Sequence, residues 1–249
     1  MAKQGGLGDN LYVSGYNFSG DIGSISRIGG GPAANDVTGI DKHAHERIGG
    51  LIDGSIEYMA YFNPSVGRAH ERLSALPTGL QIISYCRSTL LGAPGAGLIA
   101  RQIDYPGTRA ADGGFTFTIS AQAANGVGLE WGRQGTAGPR TDTAATDGDS
   151  IDDGAATDFG LSAYLHVFAL DGDDITIAIE ESSDDGGSDA WAAVVGAEFA
   201  EVTAGNVFER IATAPDLTVE RYLRVVSTGT FTSAEFAVLI CRNETEPEF

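Results

Sequence analysis

Strict alternation of apolar and polar positions recurs along this chain, and helical spacing occurs in one place. The clearest alternation is Phe115-Thr116-Phe117-Thr118-Ile119-Ser120-Ala121-Gln122-Ala123, apolar on one face and bearing hydroxyls and an amide on the other, which is the mark of a half-buried strand. Comparable patterns predict strands over residues 11–18, 22–28, 55–63, 80–87 and 97–105 in the first half. The second half repeats the signal over residues 159–170, 174–181, 197–202, 218–227 and 234–242. Within 55–63, Ile56, Tyr58, Ala60 and Phe62 alternate with Glu57, Met59 and Tyr61. Both faces of that strand are apolar enough to be covered. A helix is predicted over 65–76, where Pro64 and Ser65 give a start, Val66, Ala69, Leu73 and Leu76 recur at three- and four-residue spacing, and Pro77 gives a stop.

Breakers divide these elements. Residues 1–10 read as a Gly-rich arm. Gly29-Gly30-Gly31-Pro32 opens a polar stretch that ends in the turn cluster Gly49-Gly50-Leu51-Ile52-Asp53-Gly54, so residues 29–53 are expected to form a long interaction loop. Residues 129–158 are poor in order signals and read as a linker or long connection, residues 159–243 as a β-sandwich, and residues 244–249 as a tail. The fold class is therefore mainly β: a two-sheet domain over 11–128 with one flanking helix, followed by a C-terminal sandwich.

Charge sharpens the division. Residues 1–128 carry ten acids against nine bases, whereas residues 129–249 carry 24 against six. Neither half has a basic patch, which argues against a grip on nucleic acid backbones. An acidic surface suits both solubility and the passage of nucleic acid without adhesion. The first eight residues lack the apolar core of a signal peptide, and the longest apolar runs are strand-length; the expectation is a soluble product of a cytosol with no membrane segment. Cys86 and Cys241 each sit in apolar strands and read as buried free thiols.

Candidate chemistry is thin. His43 and His45 share a side of an extended chain, yet a third zinc ligand at suitable spacing is missing. Asp147-Gly148-Asp149-Ser150-Ile151-Asp152-Asp153-Gly154 departs from a calcium loop, because Ile151 takes the fifth position and Asp158 the twelfth. Nothing marks Glu180 and Glu181 as a glycosidase pair. Gly92-Ala93-Pro94-Gly95-Ala96-Gly97 lacks the ending of a phosphate loop, and no Gly-x-Ser-x-Gly elbow occurs. No enzyme and no cofactor are expected.

The order of elements in the first half is a strand pair, a long loop, a Gly-rich turn, a strand, a helix and three strands. Its most telling segment is Glu46-Arg47-Ile48-Gly49-Gly50-Leu51-Ile52-Asp53-Gly54-Ser55-Ile56-Glu57-Tyr58. This ordered set resembles the major tail tube protein of long-tailed, siphovirus-like phages, over about 115 of the 249 residues. The resemblance implies two packed antiparallel sheets and a structural virion protein made in the host cytoplasm. Copies would close into rings, hexameric in that family, and the rings would stack into a tube that passes DNA. The partners implied are the chain itself, the tape measure protein and tail terminator or baseplate proteins. Ring contacts would fall on the arm over 1–10 and on the 29–53 loop, with Arg27, His43, His45, Gly49, Gly50, Leu51, Asp53 and Gly54 as assembly residues. Two other readings compete: a capsid decoration or tail-terminator protein, and a carbohydrate- or partner-binding sandwich with Trp191 or Tyr164 as a stacking platform.

Overall fold

In a computed structural model, residues 5–77 and 79–245 are described. The elements run β1 (Asn10–Val13), β2 (Tyr16–Asn17), β3 (Ile22–Asp36), β4 (Arg47–Tyr61), α1 (Ala69–Leu73), β5 (Gln81–Cys86), β6 (Pro94–Asp104), β7 (Gly107–Arg109) and β8 (Phe115–Ala123). They continue as β9 (Glu130–Gln134), β10 (Arg140–Asp142), β11 (Thr146–Asp152), β12 (Leu161–Ser182), β13 (Ala192–Glu198), β14 (Val207–Ala212) and β15 (Tyr222–Arg242). The protein is mainly β, as the alternation requires, and the ladders are antiparallel.

The chain forms two compact units that interleave in sequence. Unit 1 comprises residues 1–20, 82–97 and 130–249; unit 2 comprises residues 21–81 and 98–129. A contiguous division at 128 is therefore replaced by one in which the chain passes repeatedly between units. The charge split follows the units: 25 acids against eight bases in unit 1, nine against seven in unit 2.

Unit 1 is organised by β12 and β15, which pair from Leu161↔Arg242 to Ser182↔Tyr222. Leu161, Ala163, Leu165 and Val167 of β12 and Phe236, Val238 and Ile240 of β15 point into the main core, together with Ile175, Ile177 and Ile179. Burying this many branched aliphatic side chains is the dominant stabilising term of the unit. The opposite face of the same ladder carries Phe168 and Ala237, which pack with Tyr12 of β1 and Cys86 of β5. Each strand continues where the pattern suggests two strands and a turn. The reason is a shared bend: a Cβ on Gly172 would lie 2.4 Å from the Phe231 Cα, and one on Gly229 would lie 2.5 Å from the Asp174 carbonyl oxygen. Glycine and the bulges flanking Gly172 thus let both strands turn the corner without ending. The expected linker over 129–158 holds β9, β10 and β11, of which β10 and β11 pair along β15 and β9 lies between β15 and β6. Strands this short give no readable period.

His166, on the second face of β12, is fully buried. Its Nδ1 accepts the Gly15 N–H at 3.2 Å, so the proton sits on Nε2, which donates to the Ser84 Oγ at 3.0 Å. Burial pushes its pKa down to about 3. The unfolded chain, with an ordinary imidazole near 6.5, takes up the proton first, so stability falls as pH drops from about 6.5 toward 3, at up to about 1.4 kcal/mol per pH unit. Denaturant unfolding of His166→Gln beside the unchanged protein should show this slope missing from the variant between about pH 6.5 and 4.5.

Unit 2 is built on the β3–β4 hairpin, with β8 paired to β4 from Ser55↔Gln122 to Tyr61↔Thr116 and β7 on β8. Ile56, Tyr58, Ala60, Ile119 and Ala121 form its buried face. The helix expected over 65–76 is shorter. Gly67 takes a φ of +73° inside its first predicted turn, and Val66 is left exposed. The helix starts instead where Asp21 caps it from a distance. Its carboxylate accepts the Ala69 N–H at 3.1 Å, Arg68 Nη2 at 2.7 Å and Asn63 Nδ2 at 2.9 Å. Burial opposes the Asp21 charge, and these hydrogen bonds outweigh it, holding the carboxyl below its usual range.

Candidate assembly surface

The 29–53 stretch expected as a loop is a two-stranded arm. β3 and β4 pair through Gly29↔Ser55, Gly31↔Asp53, Pro32↔Ile52 and Ala34↔Gly49 to Asp36↔Arg47, leaving only residues 37–46 as the connection. The glycine run hid the strand because it offers no side chains from which a period can be read. Pro32 stands where a strand tolerates proline: β3 pairs with β4 alone among the described residues, and a bulge lies beside it. β8 covers β4 only from Ser55 onward. Beyond that point the arm has no third strand among the described residues, and an isolated hairpin is marginal in water unless something packs on it.

The arm is also apolar on both faces. Ile48 pairs with Asn35 and Ile52 with Pro32, three residues apart in β3 and so on opposite faces, and a bulge in β4 sets Gly50 and Leu51 against Ala33 between them. Ile48, Leu51 and Ile52 are exposed, Leu51 at 89%. At the root, Leu129 packs so closely that a Cβ on Gly54 would lie 2.7 Å from its backbone nitrogen. Arg27, Gly30, Gly31, Pro32, Asp53 and Gly54 line a groove of about 240 Å³ there.

The tip is pre-ordered. Asp36 accepts the Thr38 N–H at 2.9 Å and His45 Nδ1 at 2.8 Å, while the Glu46 N–H donates to Thr38 Oγ1 at 2.8 Å. Hydrogen bonds from Thr38 hold the Asp36 carboxyl below its usual range. Val37 and Ile40 stand exposed on this ordered turn. Among the described residues no group of three or more His, Cys, Asp or Glu side chains is placed to hold a metal ion.

The arm gathers Arg27, His43, His45, Gly49, Gly50, Leu51, Asp53 and Gly54 into one hairpin, with Gly54 buried at the root and the others along its length. In the expected N-terminal arm, residues 1–4 lie outside the described residues; Asp9 accepts the Tyr85 hydroxyl at 2.6 Å and pairs with Arg87. Of the expected 244–249 tail, residues 246–249 lie outside as well. An aromatic patch on unit 2 escaped the sequence reading. Phe62 lies 5.0 Å from Phe115 and 4.4 Å from His70, and Tyr61, Phe62, Phe115 and Ile103 are exposed. Its members come from separate segments, so no local signal marks it.

Of the two stacking residues expected on the sandwich, Tyr164 is corrected. Tyr164 is fully buried and points its hydroxyl at the Glu130 carboxylate. Alternation along β12 concealed this, because the strand is buried on both faces over its first seven residues. Trp191 is half-buried, with the Arg224 guanidinium 4.6 Å from the centre of its ring.

No family model matches the chain, and no curated protein sequence matches it. Among solved structures, a chain of the virion of a native gene transfer agent particle is similar over 51% of this chain and 98% of its own, at TM-score 0.42 and 13% identity. A chain of the tail of an empty gene transfer agent particle, refined with C6 symmetry, covers 51% and 97% at TM-score 0.40 and 15% identity. The Dit protein of phage SPP1, a hub of an adsorption apparatus, covers 93% and 98% at TM-score 0.32 and 10% identity. These three are chains of a gene transfer agent virion, a gene transfer agent tail and a phage adsorption hub.

Proposed function

We propose that this chain is a structural subunit of a phage-type tail that assembles with copies of itself, the β3–β4 arm of unit 2 making the contact between copies. The observation that carries the reading is the arm: two strands without a third, apolar on both faces, ending in an ordered turn. Such a segment gains stability only when another surface covers it. The free edge of β3 offers a second contact, since an unpaired strand is a template for pairing with another chain. Bulges in β3 between Ile22 and Ser24 and between Ile25 and Arg27 interrupt that edge near its start, and Pro32 further along it has no N–H to offer, which disfavours open-ended aggregation.

The finer form of the proposal is a tube subunit. Rings, hexameric by the sequence resemblance, stack through the arms, and DNA passes along the bore to the host. Tape measure and terminator or baseplate proteins bind at the ends. Unit 2, with nine acids against seven bases, neither grips nor strongly repels a phosphate backbone. The strand face of Thr118 and Gln122, both exposed, is a suitable neutral lining. Light scattering and negative-stain microscopy of the purified full chain should show rings or tubes as concentration rises. A monomer under every assembly condition would sink the proposal.

A further inference from the structure

Unit 1 contains a cleft of about 280 Å³ for which assembly has no use. Its floor is apolar, formed by the buried side chains of Ile151, Leu223 and Ile240. One wall comes from β9, where alternation turns Glu130 and Gln134 inward and leaves Trp131 and Arg133 on the open side. Trp131 is 58% exposed, the most accessible large aromatic side chain among the described residues. Isolated exposed apolar residues need no explanation, but this one lines a concave site with fixed polar groups.

Those groups are Asp153, Arg133 and Arg242. Arg133 Nε lies 3.1 Å from Asp153 Oδ1, and Arg242 Nε lies 3.9 Å from Asp153 Oδ2. Arg242 is itself anchored by the Ala155 carbonyl at 2.6 Å and Glu244 at 3.0 Å. Asp153 is nearly buried, and burial raises its carboxyl above the usual range despite both arginines. One of its oxygens is thus held firmly and the other is engaged only at long range, which leaves acceptor capacity facing the cleft.

Charge selects the ligand class. Two arginines and two acids line the cleft, so its own charge cancels, while unit 1 around it carries 25 acids against eight bases. An anion meets the field of the whole unit, and a cation meets the two guanidinium groups. A neutral ligand with one apolar face and adjacent hydroxyls matches each wall: the indole takes the C–H face, Asp153 accepts from a hydroxyl, and Arg133 donates to one. The volume lies below the usual range of drug-sized sites, about 300–1,000 Å³, and admits a single ring. We infer that this cleft binds a neutral pyranose unit of a glycan. This adds recognition to the assembly role and stands whether or not that role holds.

The chain has two tryptophans, so Trp191→Phe leaves Trp131 as the sole indole reporter. Titrating that full-length variant with the methyl glycosides of glucose, galactose, mannose and N-acetylglucosamine should give a saturable change in emission for at least one, with a millimolar midpoint. Asp153→Asn and, as a second variant, Arg133→Gln should each weaken that binding by about tenfold or more with the circular dichroism spectrum unchanged. Trp131→Ala should abolish saturation-transfer NMR signals from the same sugar. A response to no sugar, tighter binding of glucuronate than of any neutral glycoside, or emission that shifts only on self-association would overturn the inference.

Discussion

With Ile48 and Leu51 both changed to aspartate, the chain should remain folded and lose self-association. Both side chains are exposed on an arm that no third strand covers, so the monomer loses little. In an assembled contact each would be buried, and burial of one such side chain contributes about 1.5–3 kcal/mol. Losing two, and placing charges where they sat, weakens each contact by at least about 100-fold. Light scattering should then report a monomer at concentrations where the unchanged chain forms rings or tubes, with the thermal midpoint nearly unaltered. Because a bulge in β4 separates the two positions, the single variants report which side of that bulge the contact covers. If Ile48→Asp alone prevents assembly and Leu51→Asp does not, the contact covers Ile48 and leaves Leu51 open. Assembly that survives the double variant would remove the arm from the interface.

The second large effect falls in unit 1, at Glu130. Its carboxylate accepts both Arg210 Nε at 2.8 Å and Nη2 at 2.7 Å, Ser162 Oγ at 2.8 Å, and the Tyr164 hydroxyl. All four groups are largely removed from solvent. Glu130→Ala leaves the Arg210 guanidinium without its partner, and a buried charge stripped of its counterion costs about 3–5 kcal/mol. Since both side chains keep some exposure, 15% for Arg210 and 22% for Glu130, about 3 kcal/mol is expected, a fall in thermal midpoint of about 6–12 °C for a chain of this size. Adding Arg210→Met to Glu130→Ala should recover part of the loss, because the uncompensated charge disappears. A single variant as stable as the unchanged protein would mean that water reaches Arg210 freely.

Much of the strand content was legible and much of the connectivity was not. The alternation in 115–123 marks β8, and that in 55–63 marks the covered half of β4, because each strand shows one pattern of side chains to one environment. The Gly29–Pro32 and Gly49-Gly50 stretches misled because period-two reading depends on side chains that glycine lacks. β9 to β11 were read as a linker, since strands of three to seven residues give too few alternations. For the same reason nothing local marks Trp131 as exposed, and Tyr164, in a strand buried on both faces, carries no sign of its burial. The shortened helix turns on Asp21, which lies 48 residues from the N–H it caps, beyond any local rule. The order of elements groups His45 and Leu51 on one segment over 29–53, and that segment is a hairpin and not a loop.

The interleaving of the two units sets an order for synthesis. Every residue of unit 2 is synthesised by Leu129, whereas unit 1 waits for β15, whose far end pairs Arg242 with Leu161. Until then Tyr12 and Cys86 lack Ala237, the neighbour that helps to bury them. Closing pairs so distant in sequence is slow, and faces left open meanwhile are prone to aggregate. A nascent chain therefore carries a finished unit 2, with its apolar arm, beside an unfinished unit 1. A stop codon before Tyr222 would release that state permanently: a chain able to engage its neighbours through the arm yet lacking the strand that closes unit 1. Such a product would be expected to poison assembly instead of merely failing to join it.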